Sequence, residues 1–263
     1  MPNAHSHAFQ RALAGRTGRT AAGHGDSFWT WRQAMYEFLD RVDADAIEAI
    51  AAQAYVEMAK AGYASVAEFH YVHHDPAGKP YADPAELAWR IVAAAATAGI
   101  ALTLLPVFYA HGGFGGLPTT AGQRRFAHTV YTFAHLYDRL RAAADPRGYV
   151  LGVAPHSLRA VTADELGQVV RLAAPTAPIH IHAAEQTREV DDCYAWSRMR
   201  PVEWLVAQAK VDARWCLVHA THMTEREVTA LAASGAVAGL APTTEADLGD
   251  GTFPGVAYLG AGG

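Results

Sequence analysis

Residues 178–185 read PIHIHAAE and residues 215–220 read WCLVHA. Each is a short apolar run that ends in a polar side chain, and a stretch with helical spacing follows each one. Strands that are apolar throughout, separated by helices, belong to a parallel sheet covered on both faces. The same pattern extends outward from this pair. Strands are expected at 65–72, 100–109, 149–157 and 236–242, with one more just before His5. Helical periodicity runs through 27–42, 44–62, 83–99, about 120–144, 162–173, 194–210 and 224–234. Asp83-Pro84, Thr162 with Glu165, and Thr224 with Glu227 supply helix-start signals. Repeated βα units of this kind predict an α/β chain, either a (β/α) barrel or a doubly wound sheet. No Gly-x-Gly-x-x-Gly and no P-loop follows a strand, which lowers the weight of a nucleotide-binding sheet.

Composition narrows the function classes. The chain has 263 residues, is 51% hydrophobic and 18% charged, and carries a net charge of -5. One (β/α) barrel needs about 250 residues, so the length fits a single domain over 1–263. There is no long basic run, which argues against nucleic acid as a partner. Lys60, Lys79 and Lys210 are the lysines; the other bases are arginines, suited to fixed carboxylate recognition. Cys193 and Cys216 do not make a disulfide framework. The first residues have no apolar stretch of signal-peptide length, and no 18-residue run is apolar enough to span a membrane, so a cytoplasmic location is expected. The unusual number is 14 histidines.

Position gives those histidines meaning. His5 and His7, Tyr71, His156 with Arg159, His182 with Glu185, and His219 all fall at the C-terminal ends of the expected strands. In a parallel barrel that face carries the active site. A single histidine at a strand end is usually a satisfied structural residue; the recurrence is hard to explain that way. In His5-Ser6-His7 the two imidazoles point to one side of an extended segment, so both can reach one metal ion. His182 offers a third ligand. Glu185, three residues on, is placed as a general acid/base beside a metal-activated water, and His219 to polarise the reacting group. His180 is expected to pack deeper in the barrel.

The remaining motifs read more plainly. HYVHH (70–74) runs into a Pro/Gly segment and is expected as a solvated loop. His128 and His135 are expected on one face of the long helix, at the surface or an interface, and His222 as a cap for the helix near Thr224. Residues 111–122, HGGFGGLPTTAG, lack the lysine of a phosphate cradle and read at most as a mobile active-site loop. Glu245, Asp247 and Asp250 fall in the expected loop after strand 236–242, with no assigned role.

NAHSHAFQRALAG, DSFWTWRQAMY, EFHYVHH, GVAPHSLRA, HIHAAEQ and LVHATH, in that order, resemble the motifs of the formimidoylglutamate deiminases of the amidohydrolase superfamily. The resemblance covers nearly the whole chain and implies a (β/α)8 TIM-type barrel. It implies hydrolysis of N-formimino-L-glutamate to N-formyl-L-glutamate and ammonia, a step of histidine degradation. By motif, His5, His7 and His182 resemble the zinc ligands. Glu185 and His219 resemble the catalytic pair, and Gln10, Arg32, Tyr71, His156 and Arg159 the substrate pocket. The implied cofactor is one divalent ion, Zn2+; the histidines by themselves would also accept iron, nickel or copper. The implied substrate has two carboxylates, for which Arg32 and Arg159 offer bidentate partners. Arg32 lies on a helix, so its role can involve the neighbouring subunit of a homodimer.

One departure matters. The superfamily has a metal-ligand aspartate at its eighth strand, in this family within a Gly-Ser-Asp-Ser-type segment, and the chain ends at YLGAGG (258–263) before it. The superfamily's N-terminal β-sandwich portion is not in the sequence either. The expectation is therefore an incomplete barrel, a fragment of a longer enzyme, with weak metal binding and little turnover of its own. The alternatives are a deaminase of a nucleobase-like heterocycle and an inactive remnant.

Overall fold

The computed structural model describes residues 1–17 and 28–263. Asp26 and Ser27 of the DSFWTWR motif lie outside the described residues. The chain divides into two compact units, Met1–Val107 with Thr119–Leu151, and Phe108–Pro118 with Gly152–Gly263.

In the first unit β1 (Pro2–Ser6) leads into a 3-10 turn, Ala8–Leu13. α1 (Phe28–Leu39), α2 (Ala44–Lys60), β2 (Ser65–His70), α3 (Glu86–Ala98), β3 (Ala101–Phe108), α4 (Val130–Arg147) and β4 (Val150–Leu151) follow. The strands are parallel in the order β1-β2-β3-β4, with Ser65 facing Ala101 and His70 facing Pro106. α2 and α3 pack together, and the buried residues of the two helices include Ala51 and Ala54 on one and Ala88, Ala94 and Ala95 on the other. Asp43 caps α2 by accepting from the Ala46 N–H at 2.9 Å.

The second unit holds β5 (Ala154–Pro155), α5 (Ala163–Val170), β6 (Ile179–Ala183), α6 (Thr187–Ser197) and α7 (Pro201–Gln208). β7 (Trp215–His219), α8 (Glu225–Ser234), β8 (Val237–Gly239), α9 (Pro242–Leu248) and α10 (Gly255–Gly260) complete it. β6, β7 and β8 are parallel, and every residue of β6 and β7 is buried, the histidines His180, His182 and His219 included. Gly239 lies against Cys216, where a Cβ would meet the sulfur at 2.7 Å. Burial pushes the Cys193 and Cys216 thiols up to about 12, so neither is a nucleophile near neutral pH.

Several boundaries differ from the sequence reading. The helix expected from Asp83 begins at Glu86; Asp83 instead accepts from the Ala85 N–H and the Trp89 indole. The helix expected at 120–144 starts at Val130, where Thr129 and Thr132 form a capping box. The one expected at 194–210 is two helices, divided at the left-handed Arg198 and restarted by Pro201. The strand expected at 149–157 is interrupted between Leu151 and Ala154. α9 and α10 occupy a stretch read as loop.

The histidines of HYVHH are the largest correction. His70 and His73 are buried, 3% and 2% exposed, and His128 is buried with them outside α4. The backbone N–H groups of His73 and His74 both donate to the Arg125 carbonyl, and His74 Nε2 bonds the Ala127 carbonyl at 2.8 Å. The segment folds inward because these backbone partners replace water. The rings of His73 and His74 each lie 4.8 Å from that of His128. Arg125 closes the cluster by donating to the carbonyls of Leu39, Val42 and His74. His135 is exposed on α4, as expected, and Thr224 rather than His222 supplies the side-chain cap of α8. The 111–118 segment is closed on itself, with Gly112 N–H donating to Leu117, His111 paired to Glu165 at 2.8 Å and Phe114 stacked on Trp196.

Burial, reinforced by neighbouring cations and histidines, pushes His70 and His128 down to about 3 and His73 well below its ordinary value. The folded chain therefore keeps these rings neutral, whereas the unfolded chain protonates them near 6.5. Each ring's contribution is present above that pH and is lost as the pH falls towards 3, with a slope of about 1.4 kcal/mol per pH unit. Urea unfolding at pH 7 and pH 5 is expected to show a smaller pH dependence in His128→Phe than in the wild type; equal dependence would contradict the assignment.

Candidate active site

β1 and the turn after it set the first group of residues. The Nε2 atoms of His5 and His7 lie 3.1 Å apart, and the rings meet edge to face at 4.5 Å. Two ligands of one ion, each at about 2.0–2.1 Å, sit at about this separation. His7 Nδ1 bonds the Phe69 carbonyl at 3.1 Å, which makes Nδ1 the protonated nitrogen and turns Nε2 outward as the lone pair. The buried carboxylate of Glu68 accepts the Ala8 N–H at 2.8 Å and fixes the turn behind His7; burial pushes it up to about 7. Gln10 Nε2 donates to the Tyr71 hydroxyl at 2.9 Å, and the Tyr71 ring lies 5.1 Å from that of His7. Sequence reasoning named His5, His7, Gln10 and Tyr71, and the unit brings all four together. Arg32, on α1, donates through Nε to the Tyr36 hydroxyl. It borders a cleft of about 520 Å3 shared with Tyr36, Thr120, Gly122 and Arg124.

The ends of β6 and β7 set the second group. His182 Nδ1 bonds the His156 carbonyl at 3.2 Å, again leaving Nε2 as the lone pair. The His156 ring lies 5.1 Å from His182 and 4.7 Å from Tyr109. Beyond β6 the chain takes a left-handed turn at Ala184, with φ 52°. The buried Glu189 carboxylate holds that turn, accepting the N–H of Ala184 and of Glu185 at 3.2 Å each. Burial raises Glu189 and the charge of Arg159 opposes the rise. At the end of β7, His219 and Ala220 are also left-handed, with φ 69° and 48°, and the Ala220 N–H donates to the Ala183 carbonyl at 2.9 Å. Consecutive non-glycine residues in this region are strained, and such strain gathers at functional sites.

These two turns aim Glu185 and His219 at each other. Glu185 Oε1 lies 3.6 Å from His219 Nε2, both side chains nearly inaccessible to solvent. Behind His219, Glu245 Oε1 bonds Nδ1 at 3.1 Å and also accepts the Ala241 N–H at 2.9 Å. Burial opposes charge on His219, but Glu245, Glu185 and Asp250 outweigh it and raise the imidazole above its ordinary value. Burial would raise Glu245, and the His219 ring reverses this and lowers it. Asp250 is buried beside this pair, its Oδ1 accepting from the Gln186 amide; burial and Glu185 push it up to about 7. Glu189, Glu245 and Asp250 carried no role in the sequence reading. The only local signal was Pro242 ahead of Glu245, a helix start; the pairing with His219 is long-range.

Two strand ends thus present an acid and an imidazole beside His182, and comparison with known proteins supplies the family. The chain belongs to the amidohydrolase family, whose model matches residues 2–258. It is 56% identical over 263 residues to the formimidoylglutamate deiminase of Pseudomonas aeruginosa, covering 100% of this chain and 58% of that protein. It is 31% identical over 155 residues to a 5-methylthioadenosine/S-adenosylhomocysteine deaminase of Nitratidesulfovibrio vulgaris, covering 56% of this chain and 35% of that one. Among solved structures, an amidohydrolase from Brucella melitensis superposes with TM-score 0.96 at 55% identity, over 100% of this chain and 58% of that chain. An adenosine deaminase from Xanthomonas campestris with bound zinc matches at TM-score 0.73 and 22% identity, over 99% of this chain and 53% of that one, a likeness of fold alone. The chain is thus of the TIM-barrel class, as expected, and spans 58% of the length of its Pseudomonas relative.

Glu189 tests the turn that presents Glu185. Glu189→Ala leaves two buried N–H groups without an acceptor and is expected to cost at least about 2 kcal/mol in urea unfolding, with Glu189→Gln, which keeps one acceptor oxygen, losing less. An Ala variant as stable as wild type would show that the carboxylate does not hold the turn.

Proposed function

We propose that the protein hydrolyses N-formimino-L-glutamate to N-formyl-L-glutamate and ammonia, as the barrel portion of an enzyme of its relatives' length. The reaction class rests on the Glu185–His219 pair, held at 3.6 Å with Glu245 behind the imidazole. The substrate rests on the likeness to the Pseudomonas aeruginosa deiminase.

His5, His7 and His182 hold one divalent ion in this reading, and Zn2+ is the natural choice for an imidazole set. The fit is supported by the 3.1 Å separation of His5 and His7 Nε2 and by the carbonyl partners of His7 and His182 Nδ1. A divalent ion at those nitrogens supplies the acidity that makes water a nucleophile at neutral pH. Water adds its oxygen to the formimino carbon. Glu185 carries the protons of that water to the departing nitrogen, the carbon–nitrogen bond breaks as the carbonyl forms, and ammonia leaves. His219, held by Glu245 behind it, stabilises the negative charge that develops on the oxygen added to the tetrahedral carbon. Arg32 and Arg159 bind the two substrate carboxylates, with Gln10, Tyr71 and His156 lining the pocket. A homodimer and a cytoplasmic location complete the proposal.

The second reading, deamination of a nucleobase-like heterocycle, is favoured by the match to the 5-methylthioadenosine/S-adenosylhomocysteine deaminase. Side-by-side assay separates the two: ammonia release from N-formimino-L-glutamate supports the first, and release from a heterocycle alone defeats it. Glu185→Gln in the whole protein is expected to lower kcat at least about 100-fold; a near-wild-type kcat would remove Glu185 from the role. Arg159→Met is expected to raise KM more than it lowers kcat, with the reverse split contradicting carboxylate binding.

A further inference from the structure

The end of β7 holds more negative charge than the deimination reading uses. Glu185, Glu245 and Asp250 are buried there about the His219 imidazole, with the buried Glu189 beside Glu185 and acted on by the charge of Arg159. Glu189 and Glu245 are spoken for by backbone N–H groups and the His219 ring. Asp250 is not: it is 3% exposed, and its Oδ2 is buried without a hydrogen-bond partner. A buried, unpartnered carboxylate oxygen is costly unless a cation meets it.

The surroundings match a cation site. One ligand atom each from Glu185, His219 and Asp250 lies within 4.8 Å of the other two. Two ligands on opposite sides of an ion, each at about 2.0–2.2 Å, stand about 4 Å apart, so a small inward movement closes the group. Glu245 on His219 Nδ1 is the carboxylate found behind ligating imidazoles, and it leaves Nε2 to face Glu185. The Gln186 amide on Asp250 Oδ1 orients that carboxylate in the same manner.

We propose that Glu185, His219 and Asp250 form a second divalent-cation site, distinct from the one assigned to His5, His7 and His182. Two carboxylates and one imidazole suit Mn2+ or Zn2+. Because Glu185 is shared, an ion here engages the carboxylate that the deimination reading needs as proton carrier; the binding itself stands independently of that reading.

The protein is loaded with one equivalent of Zn2+, dialysed, and titrated with Mn2+ under electron paramagnetic resonance. The expected result is uptake of about one further ion per chain, weakened at least tenfold in Asp250→Asn and restored in Asp250→Glu. Retention of the zinc equivalent by Asp250→Asn shows that the variant is folded. Absence of Mn2+ uptake in the wild type, or equal uptake in Asp250→Asn, overturns the proposal. The three-histidine reading fails separately, if His182→Ala retains its zinc.

Discussion

The imidazole of His219 between two carboxylates is the interaction on which the rest of the site depends. Glu245 stands behind it at 3.1 Å and Glu185 ahead of it at 3.6 Å, with all three buried. In a region that excludes water such charges act at reduced screening, so the geometry fixes the orientation of the ring and raises its basicity. The backbone bears the strain of this arrangement. β6 and β7 are regular and fully buried, and beyond them Ala184 at the first strand end and His219 with Ala220 at the second turn left-handed. The Ala220 N–H to the Ala183 carbonyl, and Glu189 beneath the first turn, hold the chain where the side chains require it.

The same logic operates at β1, with different parts. There the pair is His5 and His7, and the supporting carboxylate is Glu68, which binds the turn rather than the imidazole. His7 and His182 each rest Nδ1 on a backbone carbonyl, of Phe69 and His156. A carbonyl accepts and never donates, so it selects the Nδ1–H tautomer and leaves the lone pair on Nε2. His219 differs by resting on a carboxylate, which favours the charged ring.

How far the sequence could be read follows from the range of each interaction. β6 and β7 were legible because buried parallel strands are rich in apolar residues, and His5, His7, Tyr71, His182, Glu185 and His219 because they sit at or beside strand ends; Gln10 was legible only through the motif resemblance. Capping boxes at Thr162 and Thr224 were local and appeared as read. The burial of His70, His73 and His128 was not legible, since it depends on backbone carbonyls of Arg125 and Ala127 far along the chain. Glu245 escaped for the same reason: it is 26 residues from His219, in a stretch whose polarity resembled a loop. The positive φ at His219 left no trace, because neither histidine nor alanine marks such a turn as glycine would.

In the proposed metal site three imidazoles, of His5, His7 and His182, share one ion. X-ray absorption at the zinc edge, on protein loaded with one equivalent of Zn2+, tests it directly. The account predicts nitrogen scatterers at about 2.0–2.1 Å with the outer-shell pattern of three imidazoles, and the loss of one imidazole in His182→Ala. A spectrum without imidazole scattering, or one unchanged in His182→Ala, would contradict it.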